Sequence, residues 1–477
     1  MPPTHRLGLA GAAGLLLGLG LLQPPPAHAD PDEPEGGGGD AAACCGYTAP
    51  PDLVVGAPEG LGGNDVRGGY VDIIVTGPDG LDTSQATRID QSSTGVGGAP
   101  EAGDRFGDVV RTADVDGDAY ADHIIAAPGE DVQEHTDAGL VQIVFGSAEG
   151  PTGTALTLHS PRQDRGDTHF GTALATADFD DDGLADVAVG AQNQVTVLWG
   201  REDLDESPSD PPTTVFNAAP APADGVQALA AADIDGDTHP DLAVSSARDG
   251  EAPGGDLQVF TGADLKASTA RAGSITTPRP LNEPITLPED TSDIAAGDID
   301  ADGHAEVAAV FDDHAGRVFD GTAAGLGAPG TELDAELGSS SVALGDIDAD
   351  GHADIAVGDA ARASGADEAN AGGVDIVYGG PDGPTGRRQS FQQSSPGVAG
   401  AGEAGDRMGA EVALLDLTGY GHRDLVAGTP GENGGDGSIV VLYAADDGLS
   451  ADGSQNFGSG TLGMDGSDAE FGRGLPR

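Results

Sequence analysis

The sequence has few basic residues. Its 477 residues include 20 Lys and Arg against 81 Asp and Glu, which gives a formal net charge of −61 at pH 7, and Lys266 is the only lysine. A chain with this charge repels polyanions such as nucleic acids, and it repels the anionic surfaces of membranes. We therefore expect no nucleic acid as a partner.

Cysteine and aromatic residues are also scarce. Cys44 and Cys45 are the only cysteines, and one adjacent pair makes no disulfide framework. A strained vicinal bridge, a bridge between molecules and two free thiols stay open as alternatives. Aromatic residues make up 4% of the chain, so the core must consist mainly of Val, Ile, Leu and Ala.

Long apolar runs are absent except near the start, where residues 7–22 are apolar. That run of about 16 residues is short for a membrane span, and the small-x-small triplet Ala27-His28-Ala29 follows it. The pattern predicts a signal peptide over residues 1–29, cleaved after Ala29, and a secreted mature chain without a transmembrane segment. Residues 30–47 are an acidic, glycine-rich linker in this interpretation.

Motifs of common enzyme sites are missing as well. The sequence has no GxSxG nucleophile elbow, no HExxH zinc motif, no GxxxxGK phosphate loop and no CxxC pair. Carboxylate pairs are abundant, so composition alone does not exclude a glycosidase. We expect a protein that is not an enzyme, with an extracellular hydrolase as the alternative.

What the chain does contain is a repeated acidic segment. The stretch DFDDDGLAD begins at Asp178, and related nine-residue stretches begin at four other aspartates. A decayed copy, DLTGYGHRD, begins at Asp416. The copies lie roughly 60 residues apart, a spacing typical of solenoids, propellers and arrays. The other four copies begin at Asp114, Asp233, Asp298 and Asp346.

Each acidic segment stands in the same frame. An aromatic–glycine pair and a short apolar run precede it, and two strand-like runs follow, which indicates an all-β protein. The ninth position holds an acid in seven places, so we count seven units. The segment from Asp52 matches the back half of a unit and EFGRGLPR matches the front half, so pairing of these half-units would close a seven-bladed β-propeller over residues 48–477. The seven acids are Asp52, Asp122, Asp186, Asp241, Glu306, Asp354 and Asp424.

The acidic segments have the chemistry of a calcium site. In the copy at Asp178, carboxylates occupy positions 1, 3, 5 and 9, and Gly183 occupies position 6. Hard oxygen ligands at this spacing, with a main-chain carbonyl at position 7, suit Ca²⁺ better than Mg²⁺. An EF-hand does not fit, because position 12 is Val189 and strands flank the loop. Solvated acidic turns without metal are the alternative.

The combined frame resembles the FG-GAP repeat of the integrin α-subunit propeller, in a form similar to secreted bacterial proteins. The aromatic–glycine pair, the DxDxDG loop with its fourth acid and the VGAP segment carry the resemblance, which covers roughly residues 48–477. It implies that the loop between the first two strands of a blade holds one Ca²⁺, hence about five ions in all, and that the ends of the propeller bind protein or carbohydrate. In the last unit Thr418 and Tyr420 replace two acids, so we expect no metal there.

Carried over position by position, the resemblance implies five ligand sets, with position 7 contributing a carbonyl. The sets are Asp114, Asp116, Asp118, Tyr120 and Asp122; Asp178, Asp180, Asp182, Leu184 and Asp186; Asp233, Asp235, Asp237, His239 and Asp241; Asp298, Asp300, Asp302, His304 and Glu306; and Asp346, Asp348, Asp350, His352 and Asp354. The side chains of the histidines at position 7, which are His239, His304, His352 and His422, point away from the loop, so we expect exposed turn residues and no shared zinc site. The first and third loops depart from the pattern because their glycines, Gly117 and Gly236, stand at position 4.

These observations predict a secreted, calcium-binding propeller that acts as an extracellular binding or cell-adhesion module, with no catalytic residues. We expect a monomer with a protein or carbohydrate ligand. The alternatives are a phospholipase- or glycosidase-like hydrolase and a lectin-like carbohydrate binder.

Overall fold

The fold is described from a computed structural model. It describes residues 52–477 except 78–79, 149, 162–166, 193, 206–210, 218–224, 249–253, 268–274, 312–313, 335–336 and 365–367. The proposed signal peptide, the linker, and Cys44 and Cys45 lie outside the described residues.

The described residues form seven sheets, each built on an antiparallel meander, as the repeat count predicted. Five of the sheets have four strands, the third has five and the first has three. The first is β1 Leu53–Ala57, β2 Tyr70–Gly77 and β3 Gly80–Ile89; the second is β4 Val110–Ala113, β5 Asp122–Ala127, β6 Leu140–Val144 and β7 Ala155–His159. The third is β8 Ala173–Ala177, β9 Asp186–Ala191, β10 Gln194–Leu198 and β11 Thr213–Phe216; the fourth is β12 Gly225–Ala232, β13 Asp241–Ala247, β14 Gly255–Thr261 and β16 Ile285–Thr286.

The remaining sheets follow the same order. The fifth is β17 Thr291–Gly297, β18 Glu306–Phe311, β19 Arg317–Phe319 and β20 Thr331–Glu332; the sixth is β21 Ser341–Gly345, β22 Asp354–Gly358, β23 Val374–Val377 and β24 Arg388–Phe391; the seventh is β25 Val412–Leu415, β26 Asp424–Thr429, β27 Ser438–Ala445 and β28 Gly448–Phe457. Strand β15, Ile275–Thr276, pairs in parallel with β11 and adds a fifth strand to the third sheet. Short helices lie at Gly63–Asp65, Gly262–Ala267 and Glu432–Gly435.

Second strands are buried on both faces, because each sheet packs between two others. All six residues of β5 are buried, and so are all six of β9. In one such interface Ile143 and Phe145 of the second sheet meet Leu174 and Val187 of the third. Burial on both faces explains why these strands read as continuous apolar runs and do not alternate.

The motif glycines are required where neighbouring blades touch. A Cβ atom on Gly56 would lie 1.9 Å from the carbonyl oxygen of Gly107, and one on Gly358 would lie 2.0 Å from that of Gly409. Gly107 and Gly409 themselves have φ angles of 91° and 81°, a region that favours glycine. The FG segment of one unit therefore packs its backbone directly against the GAP segment of the adjacent unit.

The ring closes through its two half-units. The Gly56 N–H donates to the carbonyl of Gly474 at 2.8 Å, and the Gly472 N–H donates to the carbonyl of Gly56 at 3.0 Å. Phe471 and Leu475 are buried in the same apolar cluster as Leu53. The C-terminal residues thus take the place of the inner strand that the first sheet lacks, which confirms the predicted closure.

The innermost strands of the other six sheets surround a common axial cavity, which Pro476 and Arg477 also line. Among the described residues, no helix has the length and apolarity needed to cross a membrane.

Candidate metal centres

The six acidic loops occupy equivalent places, each between the first and second strand of a sheet. Each loop starts just after the inner strand, and its ninth residue is the first residue of the next strand. All six copies therefore lie at the same end of their blades, as the resemblance implied.

Positions 4 and 6 of every loop have a left-handed backbone, which explains why the glycine stands at position 6 in some loops and at position 4 in others. In the loop from Asp178, position 4 is Asp181 with φ 58° and position 6 is Gly183 with φ 88°. In the loop from Asp114 the order is reversed, with Gly117 at φ 78° and Ala119 at φ 68°. One glycine at either position is enough for the turn, so the departure seen in two loops does not alter their backbone.

The first aspartate of each loop binds the loop's own backbone. In the loop from Asp346, its two carboxylate oxygens accept the N–H groups of Asp350 at 3.1 Å and Gly351 at 2.8 Å. Position 5 has a related role, since Asp350 accepts the N–H of His352 at 3.1 Å. These bonds fix the curvature of the loop and turn its carboxylates inward.

Three carboxylates converge in each of the five intact loops. One oxygen from each member lies within 4.8 Å of the others. In the loops from Asp114, Asp178, Asp233 and Asp346, the three carboxylates come from positions 1, 3 and 9. In the loop from Asp298 they come from positions 1, 3 and 5, and the position-9 residue, the longer Glu306, is not in the group. The groups are Asp114, Asp116 and Asp122; Asp178, Asp180 and Asp186; Asp233, Asp235 and Asp241; Asp298, Asp300 and Asp302; and Asp346, Asp348 and Asp354.

The other predicted ligands lie in the same loops but outside these groups. Asp118, Asp182, Asp237 and Asp350 accept the N–H of their position-7 residue. The position-7 residues are therefore held against the acidic loop by their own backbone. They are Tyr120, Leu184, His239, His304 and His352.

The position-7 histidines are partly exposed, and each follows three exposed residues of its turn. His239, His304 and His352 are half-buried. The ring of His304 lies against Gly236 of the preceding loop. Neighbouring loops are close enough in the ring for these side chains to bridge them.

The ninth acid joins the loop to the third strand. Asp122 accepts the N–H of Val115 at 2.9 Å and that of Gly146 at 2.8 Å. Asp186 and Asp354 make the same pair of bonds in their own blades. The ninth carboxylate therefore holds the blade together through backbone hydrogen bonds that need no metal ion.

Several loop oxygens lack a partner, and this observation tests the fit to a cation. Oδ1 of Asp180, Asp241 and Asp348 is buried and accepts no hydrogen bond from the described residues. A buried carboxylate oxygen without a donor is unfavourable. A hard cation between the three carboxylates would satisfy these oxygens, so the donor set fits Ca²⁺.

Burial also disfavours the ionised form of the ninth acids. It raises the pKa of Asp122, Asp186 and Asp241 to about 8 and that of Glu306 and Asp354 to about 7, with a smaller contribution from repulsion by neighbouring carboxylates. A bound divalent cation would lower these pKa values again, because it favours the ionised carboxylates.

Two loops contain a basic side chain that sequence reasoning missed. Lys266 pairs with Asp180 and also lies 4.5 Å from the centre of the Trp199 ring. Arg387 pairs with Asp348 and stacks on Tyr378 at 3.6 Å. Each cation meets a position-3 carboxylate from another segment of the chain, so sequence spacing gave no signal for it.

The sixth loop keeps the backbone bonds without the metal acids. Asp416 accepts the N–H groups of Gly419 at 2.6 Å and Gly421 at 2.9 Å, and Asp424 accepts that of Leu417 at 3.1 Å. Burial raises the pKa of Asp424 to about 6 only. No group of three metal-binding side chains is found in this loop among the described residues.

Backbone bonds also join successive loops. The N–H of Ala185 donates to the carbonyl of Asp114 at 3.0 Å, and that of Ala353 donates to the carbonyl of Asp298 at 2.8 Å. The donors stand at position 8 of one loop and the acceptors at position 1 of the preceding loop. Pro240 has no N–H, so the second and third loops cannot form this bond.

Comparison with known proteins identifies the repeats. The FG-GAP-like repeat family matches residues 178–244 and 298–357, and the FG-GAP repeat family matches residues 106–144. The chain is 31% identical over 169 residues to phosphatidylinositol-glycan-specific phospholipase D of Homo sapiens and 32% identical over 169 residues to that of Rattus norvegicus. Each match covers 32% of this chain and 20% of the relative, so the chain spans about a fifth of the length of these relatives.

One solved structure, described as BBS1N in complex with ARL6DN, soaked with lead, aligns with a TM-score of 0.42 and 12% identity, over 72% of this chain and 81% of that chain. At this score the likeness adds nothing on function. The matched repeats and the seven-bladed ring together show that the chain is an integrin-α-like β-propeller built from FG-GAP repeats.

Proposed function

We propose that this protein is a secreted, calcium-stabilised FG-GAP propeller that serves as an extracellular binding or adhesion module. The observation that carries the proposal is the convergence of three carboxylates in each of five equivalent loops. Buried loop oxygens without hydrogen-bond donors support it further. The FG-GAP propeller fold supports an extracellular binding module in general, and the apolar run at residues 7–22 supports secretion.

Calcium would act on stability in this proposal. A cation held by the three carboxylates of a loop would offset their repulsion and fix the link between the inner strand and the second strand. Extracellular calcium modules bind with Kd values of roughly 0.1 to 1 mM. Because the ion would bind the folded state alone, each site would add free energy of unfolding that grows with ln(1 + [Ca²⁺]/Kd).

Equilibrium dialysis against calcium tests the metal sites. We expect about five ions per chain and much weaker uptake of Mg²⁺. Asp300→Asn should lower the number by one, because Asp300 belongs to the fourth group of carboxylates. Asp452→Asn, which makes the same charge change at an exposed hairpin residue outside the loops, is the matched control. Absence of saturable uptake, or an equal loss in both variants, would contradict the proposal.

We further propose that the protein acts by binding and not by catalysis. The named activity of the relatives belongs to proteins of which this chain matches about a fifth, and the chain's acidic clusters are engaged in loop structure. Protein and glycan arrays with and without a chelator should reveal a ligand whose binding is lost when calcium is removed. Turnover of ester or glycoside substrates by the purified chain would favour the hydrolase alternative instead.

A further inference from the structure

The axial cavity is a second feature of the ring, besides the acidic loops, that can receive a ligand. It has a volume of about 140 Å³ and is lined by inner-strand residues of six blades together with the C-terminal residues. Most of its wall is apolar, with Leu229, Ile294 and Leu344 among the larger side chains. Its polar wall contains three of the chain's 20 basic residues: Arg111, Arg423 and Arg477.

Arg477 is fully paired. Its guanidinium forms ion pairs with Asp293, on the inner strand of the fifth sheet, and with Glu411, just before the inner strand of the seventh. Asp293 also accepts the N–H of Val342 at 2.8 Å. Both of these carboxylates therefore form their direct ion pairs with Arg477.

Arg111 is buried and forms no direct ion pair with a carboxylate among the described residues, although Glu411 and Asp293 lie near enough to stabilise its charge. Its relative exposure is 7%, and its one hydrogen bond among the described residues runs from Nη1 to the carbonyl of Val110 at 2.7 Å. A guanidinium has five N–H donors. Burial lowers the pKa of Arg111 to about 10, and the positive charge of Arg477 adds to this, whereas the carboxylates of Glu411 and Asp293 act in the opposite direction. The charge is thus held in the cavity wall with most of its donors unused.

A buried guanidinium of this kind favours an anion. A carboxylate matches its planar fork with two parallel N–H···O bonds. The apolar wall favours a hydrocarbon body over a multiply charged ion such as phosphate, whose remaining charge would stay unpaired. At ~20–30 Å³ per non-hydrogen atom, the volume holds roughly five to seven such atoms.

We propose that the axial cavity is a binding site for a small organic carboxylate with a short apolar chain, anchored on Arg111. The carboxylate group pairs with the free donors of Arg111, and the hydrocarbon lies against Leu229, Ile294 and Leu344. This site is separate from the acidic loops, so it stands whether or not calcium binds.

Isothermal titration calorimetry of the full chain with n-butyrate tests the site. Butyrate has six non-hydrogen atoms and one carboxylate, and butyramide is its uncharged counterpart of the same size. We expect saturable binding of one butyrate per chain, with butyramide and inorganic phosphate at least tenfold weaker. Binding of butyramide as tight as that of butyrate would overturn the role of the charge, and no binding of butyrate would overturn the site.

Three variants locate the ligand. Arg111→Met should weaken butyrate at least tenfold, whereas Arg388→Met, which removes a surface guanidinium of the sixth sheet, should leave it unchanged. Because a buried, poorly paired charge is replaced by an apolar chain, R111M should melt at or above the wild-type temperature. Should R111M fail to fold, Ala295→Leu fills part of the cavity wall without altering a charge and should also weaken binding tenfold. Unchanged affinity in either folded variant would refute the proposal.

Discussion

The ninth acid of a loop should contribute to stability in two separable ways, and two blades allow them to be measured apart. Asp354 accepts backbone N–H groups from Ile347 at 2.9 Å and Gly379 at 2.8 Å, and it belongs to a group of three carboxylates. Asp424 accepts the same two kinds of bond, at 3.1 and 2.8 Å, in the loop that has lost its acids at positions 3 and 5. Only the first should respond to calcium.

The expected magnitudes follow from these contacts. Asp354→Ala leaves two buried N–H donors without acceptors, and each costs about 1–3 kcal/mol, so this variant should lose about 2–6 kcal/mol of unfolding free energy in a chelator. Asp424→Ala should lose less, because the N–H of Ala444 is only partly buried. In about 10 mM calcium, a roughly ten- to hundredfold excess over Kd, a bound ion adds about 1.4–2.7 kcal/mol. D354A should lose this term as well, and D424A should keep it.

Differential scanning calorimetry in chelator and in about 10 mM calcium gives the comparison. For a chain of this length, 1 kcal/mol corresponds to about 1 °C in melting temperature. On going from chelator to calcium, D354A should gain about 1–3 °C less in melting temperature than D424A. If the two responded alike to calcium, the ninth acid would have only a structural role, and the assignment of the metal sites would be wrong.

Three further changes have defined outcomes. Thr418→Asp with Tyr420→Asp should add one calcium ion in equilibrium dialysis, because the sixth loop keeps its turn; an unchanged number would show that the backbone alone does not make a site. Lys266→Met should tighten the calcium site of the second loop, since it removes a competing cation from Asp180; weaker binding would mean that the ammonium group supports the site. Burial, together with repulsion by Asp104, raises the pKa of Glu130 from 4.5 to about 8, so its ionisation destabilises the fold as pH rises through this range. Glu130→Gln should therefore gain melting temperature relative to the wild type between pH 5 and pH 9, and parallel pH curves would contradict this.

The fold could be predicted from the sequence because each blade repeats one local pattern. The ninth acid marks every second strand, and the count of these acids gave the number of sheets that the structure contains. The complementary half-units also predicted closure, since Gly56 and Gly474 form the expected contact. Each of these features depends on residues that are close together in the chain, so it can be recognised in one sequence without knowledge of the fold.

Contacts between distant segments could not be predicted in the same way. Lys266 lies 86 residues from Asp180, and Arg477 lies 184 residues from Asp293. Strand β15 pairs with β11, and the contact between Thr276 and Val215 spans 61 residues of sequence. The repeat pattern gives no sign of this pairing. The axial position of Arg111 follows from closing the ring, because only then does the second residue of β4 meet the C-terminal residues.

Comparison with the decayed sixth loop shows which acids stabilise the backbone of a blade and which are available to bind a metal ion. Positions 1 and 9 remain acidic there as Asp416 and Asp424, and both still bind backbone N–H groups. In the first sheet, whose acidic loop is absent, the ninth position alone remains, and Asp52 accepts the N–H of Thr76 at 3.1 Å. Acids at position 3 contribute less to the backbone: in three loops they accept the N–H of position 5 at 3.1–3.3 Å, and the loop that lost its position-3 acid keeps its shape. In the other two loops Asp180 and Asp348 pair with a basic side chain through one oxygen, and their second oxygen is buried without a donor among the described residues. A cation shared with positions 1 and 9 would satisfy these oxygens.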